Sequence, residues 1–255
     1  MLLRIAPAGS FCATVDGRVI GTAIGIDYEG FGWIAMMLVD PAVRGQGIGR
    51  RLLERALDAI PDDRPIRLDA TPMGRHLYQQ YDFKDEAQLT RHVAPAMQGA
   101  RPTTSFSARQ IRDADVPLIA ARDRRIFGGN REPVLRWSLE GAPQYGWTVI
   151  DVAGTAHYCL GRQGTLFDQI GPVVSDDAAV ARALVEGALA NASGRQVVID
   201  AFDGEAAFTG WLATRGFEAQ RPLYRMCRAA RSTGQPYRSR QERFGEFAIL
   251  GPEFA

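Results

Sequence analysis

The apolar positions of this chain follow two periods, and each switch between them marks a change of element. Phe11 to Val15 reads as a strand, and Phe31 to Val39 is an almost unbroken apolar run of strand length. After a glycine-rich turn the period changes. Leu52, Leu53, Ala56, Leu57 and Ile60 recur at helical spacing, and Pro61-Asp62-Asp63 ends that helix. Ile66 to Ala70 is then a short strand, Thr71-Pro72 a helix start, and Gly74 to Phe83 a short helix running into a turn. Asp27 and Glu29 fall at an expected hairpin turn.

Residues 1–93 form one such series, and residues 94–104, small, polar and proline-punctuated, read as a linker. Residues 105–255 supply a second series. Strands are expected at 105–110, 147–152, 156–160, 165–174 and 196–201, and helices at 113–127, 131–139, 177–190 and 205–215. Phe244, Phe247, Ile249 and Leu250, ahead of Gly251-Pro252, suggest a final strand packed on one of the sheets. The fold class implied is α/β with mixed sheets, in two domains.

Landmarks recur between the two series at matched intervals. Leu68-Asp69-Ala70 is echoed by Ile199-Asp200-Ala201, Leu77 to Phe83 by Leu212 to Phe217, and Leu89-Thr90-Arg91 by Leu223-Tyr224-Arg225. Phe83 to Arg91 and Phe217 to Arg225 are both steps of eight. The halves therefore read as a tandem duplication.

The chemistry concentrates in Arg44-Gly45-Gln46-Gly47-Ile48-Gly49, between the long apolar strand and its helix. Such a turn offers several backbone N–H groups at the positive end of a helix dipole, with glycines that admit a ligand close to the main chain. That is a pyrophosphate site. No Gly-Lys-Ser/Thr follows, which argues against a P-loop NTPase. A dinucleotide fold needs an acidic residue about twenty positions on, and Asp69 meets that spacing, so this test leaves it open.

The Arg-Gly-x-Gly-x-Gly loop, followed by Leu77-Tyr78-Gln79-Gln80-Tyr81-Asp82-Phe83, resembles the Gcn5-related N-acetyltransferase (GNAT) superfamily, with Asp82 standing where that family usually has glycine. The resemblance implies that the amides of Arg44 to Gly49 hold the pyrophosphate of acetyl-CoA, with Arg44 and Arg50 adding charge. Leu38 and Val39 would pair with the pantetheine arm as with an added strand. Tyr78 would protonate the departing thiolate. The strand Phe31–Val39 lacks the glutamate that many members use as base; Asp27, Glu29 and Asp69 are the nearby carboxylates. Transfer is expected to be direct, because Cys12, Cys159 and Cys227 show no histidine spacing that suggests an acyl-enzyme.

The second series has Val174-Ser175-Asp176-Asp177-Ala178-Ala179 at the matching place, without glycines and with two carboxylates that repel a pyrophosphate. It is expected not to bind CoA. Asp123, Arg125, Phe127, Arg131 and Trp137 lie on segments that cover the acceptor pocket in the family, and Asp168 lies on the strand matching the one that carries the base. The first series has only about ten residues before Phe11 and is expected to lack the opening strand and two helices found in the second. Either the natural start lies upstream, or a neighbouring domain or subunit, in a homodimer for example, covers the bare edge.

Thirty basic against twenty-nine acidic residues leave no electrostatic footprint for nucleic acid. The cysteines give no zinc spacing, and no apolar run approaches a membrane span. The expectation is a cytoplasmic acetyl-CoA-dependent enzyme, without metal, acting on a small-molecule amine; the alternative is a non-catalytic CoA-binding module.

Overall fold

The computed structural model describes residues 1–96, 107–192, 194–233 and 245–254. Most of the expected linker (97–104), the first two residues of the strand expected at 105–110, and Phe244 lie outside the described residues. In chain order the elements are α1 (Leu2–Ile5), β1 (Ser10–Val15), β2 (Arg18–Asp27), β3 (Gly32–Val39), α2 (Ile48–Asp58), β4 (Ile66–Ala70), α3 (Pro72–Gln79) and β5 (Lys84–Ala94). They continue with β6 (Arg109–Gln110), α4 (Val116–Phe127), α5 (Glu132–Gly141), β7 (Trp147–Ile150), β8 (Ala156–Arg162) and β9 (Asp168–Val174). The last are α6 (Ala178–Ala190), β10 (Val197–Phe202), α7 (Ala206–Thr214), β11 (Glu218–Arg228) and β12 (Glu246–Ile249).

Two compact units result. The first holds Met1–Glu86, a segment beginning at Tyr224, and Pro252–Phe254; the second holds Ala87–Leu223 and a segment ending at Gly251. In the first, β1, β2 and β3 form an antiparallel meander, β4 runs parallel to β3, and Tyr224–Arg228 of β11 pairs antiparallel with β4. The apolar stripe of α2 buries Leu52, Leu53, Ala56 and Leu57 against Ala23, Ile34, Leu68 and Met226, with Tyr78 and Phe83 in the same cluster. Strand alternation turns Trp33 to the other face. There Trp33 Nε1 donates to Pro252 O at 3.1 Å and the Tyr28 hydroxyl to Phe254 O at 3.3 Å. Ahead of β1 lies the single turn α1.

In the second unit β6, β7, β8 and β9 run antiparallel in order, and β5 pairs antiparallel with β10. One face carries α6 and α7 over a core that includes Leu184, Val185, Ile199 and Phe208. On the other, Ile119 of α4 and Leu135 of α5 pack on Tyr158 and Leu160. Strands β9 and β10 are parallel at only two positions, Val197 with Asp168 and Val198 with Gln169. Beyond these, β12 enters antiparallel to both.

Each repeat's closing strand is thus spent in the other unit: β5 follows α3 in sequence yet pairs with β10, and β11 follows α7 yet pairs with β4. The landmark residues of the duplication mark these pairings. Arg225 Nε and Nη2 reach Asp69 at 2.7 and 2.8 Å across β11 and β4. Arg91 reaches Asp200 through the same two nitrogens at 2.7 and 2.8 Å across β5 and β10, and Gln169 Nε2 adds a bond to Asp200 at 2.8 Å. Each aspartate is paired with the arginine of the opposite repeat, so the bidentate geometry of a buried ion pair fixes the register of the exchanged strand.

Candidate functional site

A gap opens in the first sheet between β3 and β4. The two strands pair at Gly32 with Ile66 and at Trp33 with Arg67, and no further. From there on, the edge of β3 and the facing edge of β4 keep unpaired backbone. The cause is a bulge in β3. Thr22 pairs with Leu38 and Ile24 with Ala35, so Met36 and Met37 together oppose Ala23, and Met36 takes a left-handed φ of 50°. An extra residue bends a strand and raises its twist, which turns β3 away from β4. The Thr22 hydroxyl donates to Met36 O at 2.7 Å and holds the bulge in place. Nothing in the hydrophobic pattern announced it, because Met36-Met37 continues the apolar run.

The glycine loop closes one end of the gap. Asp40 Oδ1 accepts from the Ala42 N–H at 3.0 Å and starts the turn Pro41–Val43. Gly45 and Gly47 then adopt φ of 80° and 79°, a conformation costly to any residue with a Cβ. Gly47 caps α2 without a side-chain bond, and the first helical bond is Arg51 N–H to Gly47 O at 3.1 Å. The N–H groups of Gly45 to Arg50 have no acceptor among the described residues. A Cβ placed on Gly45 or Gly47 would meet nothing within 4 Å, and one on Gly49 would touch Val39 Cγ2 at 3.4 Å. Six free donors at a helix N-terminus, with open space before them, suit a pyrophosphate.

The other residues expected here are placed around that loop. Leu38 and Val39 end β3 beside the gap, Leu38 exposed. Arg44 Nε binds Val39 O at 3.2 Å, and Arg50 Nη2 binds Gln80 Oε1 at 3.2 Å, joining the start of α2 to the end of α3. Gln46 is exposed, and Ile48 packs on the core cluster beneath α2.

Tyr78 lies on α3, whose N-terminus follows directly from β4 and is capped by the Thr71 hydroxyl, which accepts from Gly74 N–H at 3.2 Å. Long helical side chains lean toward the helix N-terminus, and the Tyr78 ring does so across Gly74: a Cβ on Gly74 would lie 3.3 Å from Tyr78 Cε2. The ring meets Phe83 edge-on at 6.0 Å. Burial raises the phenol to about 12, so Tyr78 keeps its proton across the neutral range. Gly74 escaped sequence reasoning, since a helical glycine signals nothing by itself. Asp82, in the place of the family glycine, has φ of 63°, and its counterpart Gly216 has 82°. Aspartate tolerates the left-handed region better than most residues, which explains why the turn survives the exchange.

The three carboxylates considered as bases are placed elsewhere or occupied. The Asp69 side chain is fully buried in its pair with Arg225, whose guanidinium also faces the Trp33 ring at 5.0 Å. Asp27 accepts from the Glu29 N–H at 2.8 Å in the β2–β3 turn. That turn lies at the opposite end of β3 from the loop, roughly 25 Å away at about 3.3 Å per residue.

The second unit has closed the same features. Asp177 caps α6, its Oδ1 accepting from Ala179 and Val180 N–H at 2.6 and 3.0 Å. Asp176 pairs with Arg122 at 2.7 Å, and Ser175 Oγ lies 3.1 Å from His157 Nδ1. The gap between β9 and β10 is filled by β12. Of the residues expected to cover an acceptor pocket, Asp123, Phe127 and Arg131 belong instead to the interior, whereas Arg125 is exposed and Trp137 half-buried. Arg131 is buried against Asp123 at 2.8 Å and Glu246 at 3.3 Å with the Phe127 ring 3.9 Å away, and Asp123 accepts from the Tyr158 hydroxyl. Asp168, also buried, accepts from the Tyr145 hydroxyl at 2.6 Å. Burial pushes the Cys159 thiol up, away from nucleophilic chemistry.

Residues 7–85 and 119–241 each match a family model described as an acetyltransferase (GNAT) domain. The holothin acyltransferase of Pseudoalteromonas sp. (strain SANK 73390) is 25% identical over 237 residues, 92% of this chain and 80% of that protein. The fold resembles a candidate acetyltransferase from Pyrococcus horikoshii, with TM-score 0.75 and 21% identity over 99% of this chain and 82% of that one. It also resembles a tandem GNAT protein from the clavulanic acid biosynthesis pathway, with TM-score 0.59 and 16% identity over 89% of this chain and 86% of that one. Among the described residues no helix is long and apolar enough to cross a membrane, and no group of three or more His, Cys, Asp or Glu is arranged for a metal ion.

Proposed function

Because the chain belongs to the GNAT acetyltransferase family, with two such domains in tandem, and is an acyltransferase, we propose that its first unit transfers the acetyl group of acetyl-CoA to a primary amine of a small molecule. One observation carries this reading. The gap between β3 and β4 stays open beside a loop of free amides, whereas the equivalent gap between β9 and β10 is filled by an extended strand beside a helix capped by its own aspartate. The second unit thereby supplies an internal template: the gap accepts extended backbone. A pantetheine arm, with two amide groups, has the matching hydrogen-bonding character.

On this reading the amides of Gly45 to Arg50 hold the pyrophosphate, the edge of β3 at Leu38 and Val39 aligns the pantetheine, and Arg44 and Arg50 add positive charge. Bound acetyl-CoA supplies a thioester open to attack by an amine. Tyr78, protonated at neutral pH, keeps a proton available for the sulfur when the carbon–sulfur bond breaks. With Asp69 engaged by Arg225, the amine loses its proton to water. The holothin acyltransferase supports a small-molecule acceptor over a protein lysine.

Thiol release from acetyl-CoA across a panel of small amines tests the proposal. Turnover on one or more amines, abolished when Gly47 and Gly49 are both replaced by Asp, is the expected result. Tight CoA binding without turnover on any amine would instead make the chain a CoA-responsive module.

A further inference from the structure

We infer that β1 is a dimerisation edge, at which two copies of this chain join their first sheets across a twofold axis perpendicular to the sheet. Among the described residues β1 pairs on one side only, with β2. Its sequence, Ser-Phe-Cys-Ala-Thr-Val, contains none of the charges or prolines by which proteins blunt an open edge. The end strand of the second unit's sheet shows the contrast: β6 has two residues, and Arg109 on it is ion-paired with Asp115 at 2.6 Å. In the second unit β6 also covers β7, the counterpart of β1, so the duplication itself displays a position that no described residue fills in the first.

A cleft of about 700 Å³ runs between the free edge of β1 and α2. Its floor is apolar, with Phe11, Ala13, Ile48 and Leu52, and its rim is charged, with Arg51, Glu54, Arg55 and Asp58. An apolar floor inside a polar rim is the anatomy of an interface. The order of the rim charges identifies the partner. A twofold axis perpendicular to the sheet makes β1 antiparallel to its copy and sets the two α2 helices antiparallel on the same face. With the axis opposite the midpoint between Glu54 and Arg55, Arg51 faces Asp58 of the second copy and Glu54 faces Arg55. All four facing pairs are then of opposite sign. Within one chain Glu54 Oε1 accepts from the Tyr81 hydroxyl and Asp58 Oδ1 meets Arg231 at 3.3 Å, so each carboxylate has a one-oxygen contact of its own.

Charge reversal tests this assignment in the full chain. Arg51→Asp sets two aspartates against each other twice across the axis, and Asp58→Arg does the same with two arginines. Each is expected to weaken dimerisation on the order of a hundredfold by sedimentation equilibrium, and the double variant Arg51→Asp with Asp58→Arg to restore it. Amides of Ser10 to Val15 are expected to exchange more slowly as protein concentration rises. A chain that stays monomeric at sub-millimolar concentration overturns the inference. So does a dimer that ignores both reversals and leaves exchange in β1 independent of concentration.

Discussion

The pair of Asp69 and Arg225 is the sharpest point at which to perturb the fold. Both side chains are fully buried, joined by bonds of 2.7 and 2.8 Å, and the guanidinium lies over Trp33. At that separation, with an effective dielectric constant of about 20, the attraction is about 6 kcal/mol, set against the desolvation of both ions. Asp69→Asn keeps one acceptor oxygen but strands the arginine charge in the interior, and is expected to cost about 3–5 kcal/mol. A domain of ordinary stability holds about 5–15 kcal/mol, so the variant approaches the unfolding threshold. Replacing both partners, Asp69→Leu with Arg225→Met, removes the stranded charge and is expected to cost less than Asp69→Asn alone. Urea unfolding followed by tryptophan fluorescence and far-UV circular dichroism measures both. An Asp69→Asn loss below about 1 kcal/mol, the range of an exposed pair such as Arg18–Asp40, refutes the reasoning, as does a double variant less stable than the single.

Further outcomes follow from the site and the strand exchange. Tyr78→Phe is expected to lower kcat by about 10²–10⁴-fold with CoA affinity retained, measured by steady-state kinetics and calorimetry. Since folding raises the Tyr78 phenol from 10 to about 12, its contribution to stability is complete below pH 10 and is lost as pH rises through 12; urea midpoints at alkaline pH should fall less steeply in Tyr78→Phe than in the wild type. Gly47→Ala meets open space, so its effect is conformational: about 1–2 kcal/mol against the left-handed turn and a weaker CoA site by calorimetry, with Gly47→Asn milder. A fragment of residues 1–93 lacks Tyr224–Arg228, hence the partner of β4 and of Asp69, and is expected to show no cooperative unfolding transition by circular dichroism.

Much of the first unit was legible in the chain because local physics decides it. The helical period at Leu52 to Leu57, the Thr71 cap and the paired glycines each act within a few residues of themselves, and they became α2, the start of α3 and the open loop. The second unit's loss of the loop was legible as well, since Asp177 at a helix start is a local signal. The bulge at Met36 was not, because the apolar run continues through it and only the pairing with β2 reveals the extra residue. Asp123, Arg131 and Asp168 were placed on the expected segments, but the family resemblance pointed to an acceptor pocket and a base, whereas pairing with Arg, Glu and Tyr side chains let the interior take them.

The duplication shows where the boundary falls. Sequence alone identified Asp69, Asp200, Arg91 and Arg225 as matching landmarks, and tertiary structure alone decided that each aspartate binds the arginine of the other repeat. Backbone pairing is nearly indifferent to which strand supplies it, so the choice between β5 and β11 as neighbour of β4 rests on side chains far apart in the chain. The same holds for the two gaps: the loop at Arg44 to Gly49 specifies a phosphate site by itself. Whether a gap stays open, as between β3 and β4, or receives β12, as between β9 and β10, depends on a segment distant in sequence.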